Sequence, residues 1–450
     1  MNTVNRRQPT GMLGFSVIWF GQLVSLTGSG MTVFALTLWA WQATGSATAL
    51  ALMSFFFMGP TVLMSPIAGA LVDRLSRKFV MVLTDAVSGL ATLAVLLLYQ
   101  SGALQIWHLY LVAAVVGAFQ AFQWPAYSAT ISVMVDKKHY GRANGMMSLA
   151  ESGSAIAAPI LAGFLIGPIG IVGVMTIDLI TFLFAIGALA AVHIPQPLKS
   201  TADTDTRKSS LWQESLYGFR YILQRPSLLG LQLTLMASNL LSAFAYGVMS
   251  PMILARTDNS AQILGTVLSI SGIGGVVGGV AMSLWGGPKR RVHGLLGGLA
   301  LESLLGTLLL GVGRSLPVWA VGAFFTAFFM PIINGSNQAI WQSKVAPDVQ
   351  GRVFAVRRLI AQVTSPLGLL IAGPLADFVF EPAMRTDNML SDLFGGLIGA
   401  GPGSGMALMF VFAGVLGVAV SLSGYLFRAV RDAESILPDH DTLVPEKGVH

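Results

Sequence analysis

The chain has 450 residues, of which 54% are hydrophobic and only 10% charged, with a formal net charge of +6 and no cysteine. Soluble domains carry roughly 25% charged residues, so a soluble protein of two or three domains is excluded. The missing cysteines exclude disulfides, thiol nucleophiles and thiolate metal sites.

Most apolar residues fall in runs of about 18 or more, the length that crosses a ~30 Å hydrocarbon core as helix. Period-two alternation, the mark of a membrane barrel, is absent. The first run follows Arg6 and Arg7 and continues to about Trp41. It opens like a signal peptide but is too long for an h-region, and reads as a retained first span. Twelve spans are placed in all, at 12–40, 47–72, 79–100, 107–132, 143–167, 169–193, 227–254, 261–286, 292–313, 316–342, 353–379 and 404–428. The longest polar break, Gln196 to about Arg225, holds a Ser/Thr/Asp/Lys stretch over 200–210 and then an amphipathic segment, 211–223. Leu216, Tyr217, Phe219 and Leu223 share much of one face, so this segment is expected on the membrane surface. The expected organisation is a six-helix half (1–195), a cytoplasmic linker with an amphipathic helix (196–225), a second six-helix half (226–430) and a cytoplasmic tail (431–450). The fold class is therefore an all-α polytopic membrane protein of twelve transmembrane helices.

After the second span comes a dense charged turn, Gly69-Ala-Leu-Val-Asp73-Arg74-Leu-Ser76-Arg77-Lys78. Charges at the mouth of a lipid-embedded helix are costly unless partnered. A weaker copy lies 210 residues later, from Gly279 through Ser283 to Lys289-Arg290-Arg291. The same offset matches Gln22-Leu23 to Gln232-Leu233, Gly141-Arg142 to Gly351-Arg352, and Ala162-Gly163 to Ala372-Gly373. An even number of spans per half makes this a parallel repeat, with a substrate cavity expected between the halves. With odd spans starting inside, only Arg256, Arg314 and Arg385 of the 26 Lys and Arg fall outside. That asymmetry puts both termini in the cytoplasm. It also accounts for the positive charge without a nucleic-acid partner.

Asp73 sits at a helix C-terminus, where negative potential favours the neighbouring cations but not an acid. Two readings stand: a topology anchor with a local salt bridge, or an inner-side latch between halves. The turn Gly69-x-Leu71-x-Asp73-Arg74-x-Ser76-Arg77-Lys78 resembles the loop 2–3 signature of the major facilitator superfamily, with Ser76 where a second glycine is usual. In span five, Ala158-Pro159-Ile-Leu-Ala162-Gly163 is similar to the Gly-Pro-x-x-Gly-Gly motif of that superfamily's antiporters, alanines replacing two glycines. Gly28 to Leu36, Pro125-Ala126-Tyr127 and Arg142-Ala143-Asn144-Gly145 resemble its macrolide-efflux and siderophore-export branch. The resemblance implies the major facilitator fold, alternating access by two rocking six-helix halves, and proton antiport. It also implies that spans one, four, seven and ten lie nearest the central axis.

An intramembrane carboxyl is by default a functional hypothesis. Asp85, Glu151, Asp178 and Glu302 are the candidates for proton coupling, with Glu151 favoured because its span should border the cavity. Asp85, close to Lys78, is expected in a structural pair. On the four axial spans, Gln22, Ser25, Gln120, Gln123, Trp124, Asn239, Asn334, Asn337 and Gln338 are candidate cavity residues. Taken singly, such amides serve equally well as interhelical hydrogen bonds of about 1 kcal/mol. Trp19, Trp124 and Phe324, Phe325, Phe328 and Phe329 are expected to line an apolar pocket. Trp39, Trp41, Trp107, Trp285, Trp319 and Trp341 are expected in interfacial belts. Gly274-x-x-x-Gly278 superficially matches a dinucleotide loop, but within an apolar span it indicates close helix packing. The six histidines have no metal spacing and no Walker motif is present.

The sequence thus predicts a secondary active exporter of a bulky amphipathic molecule, drug- or macrolide-like or a siderophore or secreted metabolite. The proton gradient is its energy source, with no cofactor or metal. It is expected in the plasma (inner) membrane as a monomer whose partners are the bilayer and a small-molecule substrate. An uptake symporter is the nearer alternative; an embedded enzyme or receptor is the remoter one, since no nucleophile–base constellation is visible.

Overall fold

A computed structural model describes residues 11–194, 211–346, 349–385 and 389–439. Every regular element among them is helical. The described residues form two compact units. One comprises those up to Asp203 together with Thr257–Ser269, and the other those from Thr204 to Arg256 together with Ile270 onward.

The first unit contains α1 (Gly11–Thr44), α2 (Ala47–Arg74), α3 (Arg77–Gln100), α4 (Ile106–Met134) and α5 (Tyr140–Ala191). Helix starts follow local chemistry. Ser46 and Ser76 adopt extended φ/ψ, and their side chains accept from Ala49 N–H and Phe79 N–H respectively, capping α2 and α3. At 52 residues α5 would be about 78 Å long if unbroken, more than twice the bilayer core. It is broken at Gly170 (φ 67°, ψ −179°), two residues after Pro168. Ser154 on its first limb reaches Thr27 and Asp178 on its second reaches Ser29, so both limbs lie beside the same stretch of α1. Eleven helices among the described residues are long and apolar enough to cross a membrane; because α5 folds back it counts twice, giving twelve crossings. The α2–α4 contact is close enough that a Cβ at Gly117 would lie 2.1 Å from the Phe57 carbonyl oxygen. Phe15, Ile18, Met81, Tyr127, Met147 and Leu189 form its main core, near the end where Lys78 closes α5.

The second unit holds α6 (Leu211–Leu223), α7 (Pro226–Gly247) and α8 (Met249–Arg256). Helix α9 (Ala261–Trp285) begins in the first unit and enters the second at Ile270. Span nine is built from α10 (Arg291–Leu301), a π-turn segment Glu302–Leu308 and α11 (Leu309–Val312). Then follow α12 (Leu316–Phe328), α13 (Met330–Lys344), α14 (Gln350–Gln362), α15 (Ser365–Leu375), α16 (Glu381–Arg385), α17 (Met389–Ile398), α18 (Ser404–Leu426), α19 (Arg428–Arg431) and α20 (Ala433–Ile436). The glycine pair of α9 does what its spacing predicts. A Cβ at Gly274 or Gly278 would lie 2.2 or 2.0 Å from the carbonyl oxygens of Phe324 and Phe328.

Part of segment 217–223 packs on protein: Ile222 is fully buried with Trp341, Val345, Val353 and Val356, and a Cβ at Gly218 would meet the Arg352 carbonyl oxygen at 2.7 Å, while Tyr217 and Leu223 remain exposed. One expectation changes here. Trp319 and Trp341 are 2% and 0% exposed, so they belong to the core and not to an interfacial belt. The indole N–H of Trp319 donates to the Gly313 carbonyl instead of to the headgroup region.

Candidate functional site

The apolar interior of the first unit makes every polar group inside it expensive unless bonded. Two carboxyls sit there. Asp85 of α3 is 4% exposed and receives Gln22 Nε2 of α1 at 2.8 Å on one oxygen and Gln123 Nε2 of α4 at 2.9 Å on the other. Gln123 also donates to Gln22 Oε1 at 3.0 Å, closing a three-residue ring. By sequence these residues fall into two separate groups; the fold joins them. It does not join Asp85 to Lys78, whose ammonium instead donates to the carbonyls of Ala190 and Val192 at 3.3 and 2.8 Å, where α5 ends. A cation suits a helix C-terminus, whose last carbonyls lack intrahelical partners.

Asp178, on the second limb of α5, is 2% exposed. It accepts Ser29 Oγ of α1 at 3.0 Å and Thr92 Oγ1 of α3 at 2.9 Å, one on each oxygen. Ser29 and Thr92 each stand seven residues beyond Gln22 and Asp85, so about two helical turns, or ~10 Å, separate the two acids along a shared α1–α3 seam.

Glu151 differs from both. It is exposed, and opens onto a pocket of about 370 Å³ lined by Leu26, Gly30, Ser154, Ala155, Ala158 and Pro159. The relaxed Ala158-Pro159 motif therefore forms the wall of this pocket, and its small residues leave the room. A larger groove of about 730 Å³, bounded by Leu13, Val17, Phe20, Leu183 and Phe184, has no titratable lining residue.

In the second unit the acids are differently used. Glu302 is 6% exposed and takes Ser303 Oγ at 3.3 Å and Thr307 Oγ1 at 3.0 Å, both from its own π-turn. Glu381, which the sequence did not single out, is 7% exposed and accepts Gly403 N–H and Met406 N–H at 3.2 and 3.0 Å. It thereby satisfies the open first turn of α18. Arg385 pairs with it at 3.5 Å, Arg256 donates to the carbonyls of Gly313 and Ile398, and Arg314 donates to those of Gly395 and Gly396. Arg256 and Arg314 thus tie off helix ends, while Arg385 pairs within its own helix. The sequence signal that could have marked Glu381 is its i, i+4 spacing to Arg385 before a glycine-rich loop.

The remaining cavity candidates divide. Asn239 donates to the Ala361 carbonyl at 2.8 Å, and Gln338 accepts from Arg357 Nη1 at 2.9 Å. The Arg357 guanidinium lies 5.2 Å from the Trp341 ring and 5.4 Å from the Phe354 ring, within cation–π range. Ser25 and Asn337 are buried, Gln120 is half-buried, and Asn334 and Trp124 are exposed. Phe324, Phe325, Phe328 and Phe329 stack on one another, and all but Phe324 join the core of the second unit. Trp19 donates to the Met146 carbonyl. Of the charged turn, Arg77 and Lys78 are half-buried at the start of α3, while the side-chain surroundings of Gly69, Asp73 and Arg74 lie outside the described residues. Among the described residues no cluster of His, Asp and Glu has metal-site geometry.

Comparison with known proteins bears on the fold as a whole. The family profile described as Major Facilitator Superfamily matches residues 18–369. The chain is 26% identical over 376 residues to macrolide efflux protein A of Streptococcus pyogenes, covering 81% of this chain and 90% of that protein. It is 26% identical over 367 residues to multidrug efflux pump Tap of Mycobacterium tuberculosis, covering 80% and 86%. Among solved structures, a bacterial homolog to the human lysosomal transporter Spinster, inward-facing and unoccupied, superposes with a TM-score of 0.66 at 15% identity, over 95% of this chain and 98% of that one. The nucleoside transporter NupG superposes with a TM-score of 0.59 at 14% identity, over 91% and 98%.

Proposed function

Because the chain belongs to the Major Facilitator Superfamily, and is thus a multi-pass membrane transporter of small molecules, we propose that it is a proton-driven exporter of bulky amphipathic compounds. The substrate class is drug- or macrolide-like, or a siderophore or secreted metabolite of similar build. The observation that carries this reading is Glu151 at the edge of its apolar pocket. A wall of Leu, Ala and Pro with one carboxyl accommodates an apolar body bearing one cationic group, and fits small charged solutes poorly. A proton and a cationic group can then compete for the same carboxylate, which is the minimum needed for exchange. Similarity to proteins named for macrolide and multidrug efflux supports the direction of transport. The Lys/Arg distribution supports a plasma-membrane protein with both termini in the cytoplasm, acting as a monomer.

The test uses purified protein in proteoliposomes with an imposed pH gradient, and a macrolide and a lipophilic cation as probes. Wild-type transport should follow the gradient, and Glu151→Gln should lower the driven rate by about tenfold or more, equivalent to ~1.4 kcal/mol. Wild-type rates in Glu151→Gln would remove this residue from the mechanism. Transport indifferent to the gradient in the wild type would remove proton drive altogether.

A further inference from the structure

The two buried acids of the first unit are solvated by different chemistry, and the difference has a use. Around Asp85 the partners are amide nitrogens, which can only donate, locked in a ring with Gln22 Oε1. That carboxylate is fully served by the protein. Around Asp178 the partners are hydroxyls, which donate to a carboxylate in one rotamer and offer lone pairs to a cation in another. A third hydroxyl lies beside the same carboxyl: Thr32 Oγ1, on a residue 4% exposed, neighbours Asp178 without completing a hydrogen bond of good geometry. A buried hydroxyl left in that state is costly unless something else uses its oxygen.

We propose that Asp178, Ser29, Thr32 and Thr92 form a sodium-ion site. The five oxygens come from α1, α3 and the second limb of α5. All are hard ligands and none is nitrogen or sulfur, which selects against the transition metals. One carboxylate neutralises one monovalent charge; a divalent ion would leave a net positive charge in hydrocarbon. None of the ion pairs among the described residues involves Asp178, so no side-chain cation takes this role. Asp178 lies eight residues past the break at Gly170, about 12 Å along the helix, well inside the apolar layer. Gly28 lets α1 press close to the second limb of α5 at this point: a Cβ there would lie 2.2 Å from Thr181 Oγ1 and 3.1 Å from Asp178 Oδ1. The proposal is independent of Glu151 and of proton drive, because binding is read without transport.

The experiment is thermal unfolding of the purified full-length protein in detergent. NaCl is titrated at constant ionic strength against choline chloride, with KCl in a parallel arm. Saturable stabilisation by Na⁺ beyond that given by K⁺ is expected for the wild type. Asp178→Asn should abolish it, and Thr32→Val, which keeps the shape and removes the unused oxygen, should weaken the apparent affinity about tenfold or more. Equal responses to all three cations, or to Na⁺ and K⁺, overturn the sodium site. So does an undiminished Na⁺ response in Asp178→Asn. Should that variant fail to fold, Thr32→Val decides alone: unchanged affinity overturns the proposal.

Discussion

In the first unit the turn between α2 and α3 closes on residues of the turn itself and its nearest helix end: Ser76 caps α3, and Lys78 ties off the end of α5. Its copy between α9 and α10 is built otherwise. Gly286 and Gly287 take left-handed conformations, φ 76° and 86°, that Ser76 at −64° does not need. Ser283, at the position equivalent to Asp73, bonds its own helix at the Gly279 carbonyl. The acids arrive from the chain's far end instead. Asp432 pairs with Arg290 at 3.2 Å, and Glu434 accepts Val292 N–H at 2.9 Å, capping α10. Nearby, Lys344, 5% exposed, holds Asp439 at 2.8 Å and the carbonyls of Glu434 and Leu437. In this copy the acids of the hairpin come from a distant segment and not from the local sequence.

That contrast can be broken most severely by ending the chain after Arg431. The second unit then loses both acids of its hairpin and leaves Lys344 without its carboxylate and its two carbonyl partners, at a cost of about 1.5–3 kcal/mol, the scale of a hydrogen bond to a charged group. The readout is thermal unfolding in detergent, and adding Lys344→Met to the shortened chain should recover much of the loss if the stranded charge dominates. A middle-sized effect separates the two capping strategies. Ser76→Ala and Glu434→Ala should each cost roughly 1 kcal/mol. Glu434→Ala should also loosen hydrogen-exchange protection at the start of α10, while Ser76→Ala should loosen α3 only; protection lost in both places with either change would contradict the division. The smallest effect is expected from Arg290→Ala, a slight loss of stability that added salt diminishes, since that pair meets solvent. Its pH counterpart is equally mild. The hydrogen bond from Lys344 holds the Asp439 carboxyl below the usual carboxylate range. Its contribution is therefore present above about pH 4, the unfolded value, and fades as pH falls through the lower folded one.

What the sequence made legible was whatever depends on local composition. Span number and positions follow from hydropathy, and the Gly274–Gly278 packing follows from spacing. Ser76 was legible only as a departure from a motif, although a serine before a helix is a cap in its own right. The Gln22–Asp85–Gln123 ring needs three helices brought together from 101 residues of chain, and no periodicity reports that. Likewise the stripe on α6 announces that it must be covered and is silent about whether lipid or α14 does so. Trp341 looked interfacial by position near a helix end, yet the tail and α6 bury that end. Ends of spans are where hydropathy stops being informative, and most of the differences fall there.

The bond from Glu434 to Val292 joins residues 142 apart. A chain made from its N-terminus folds early segments before late ones exist. The first turn of span nine must therefore wait, uncapped, while three further spans are synthesised and inserted. Only once Glu434 has left the ribosome can that helix be closed. Until then the growing chain carries an open helix end and a lysine without its later partners.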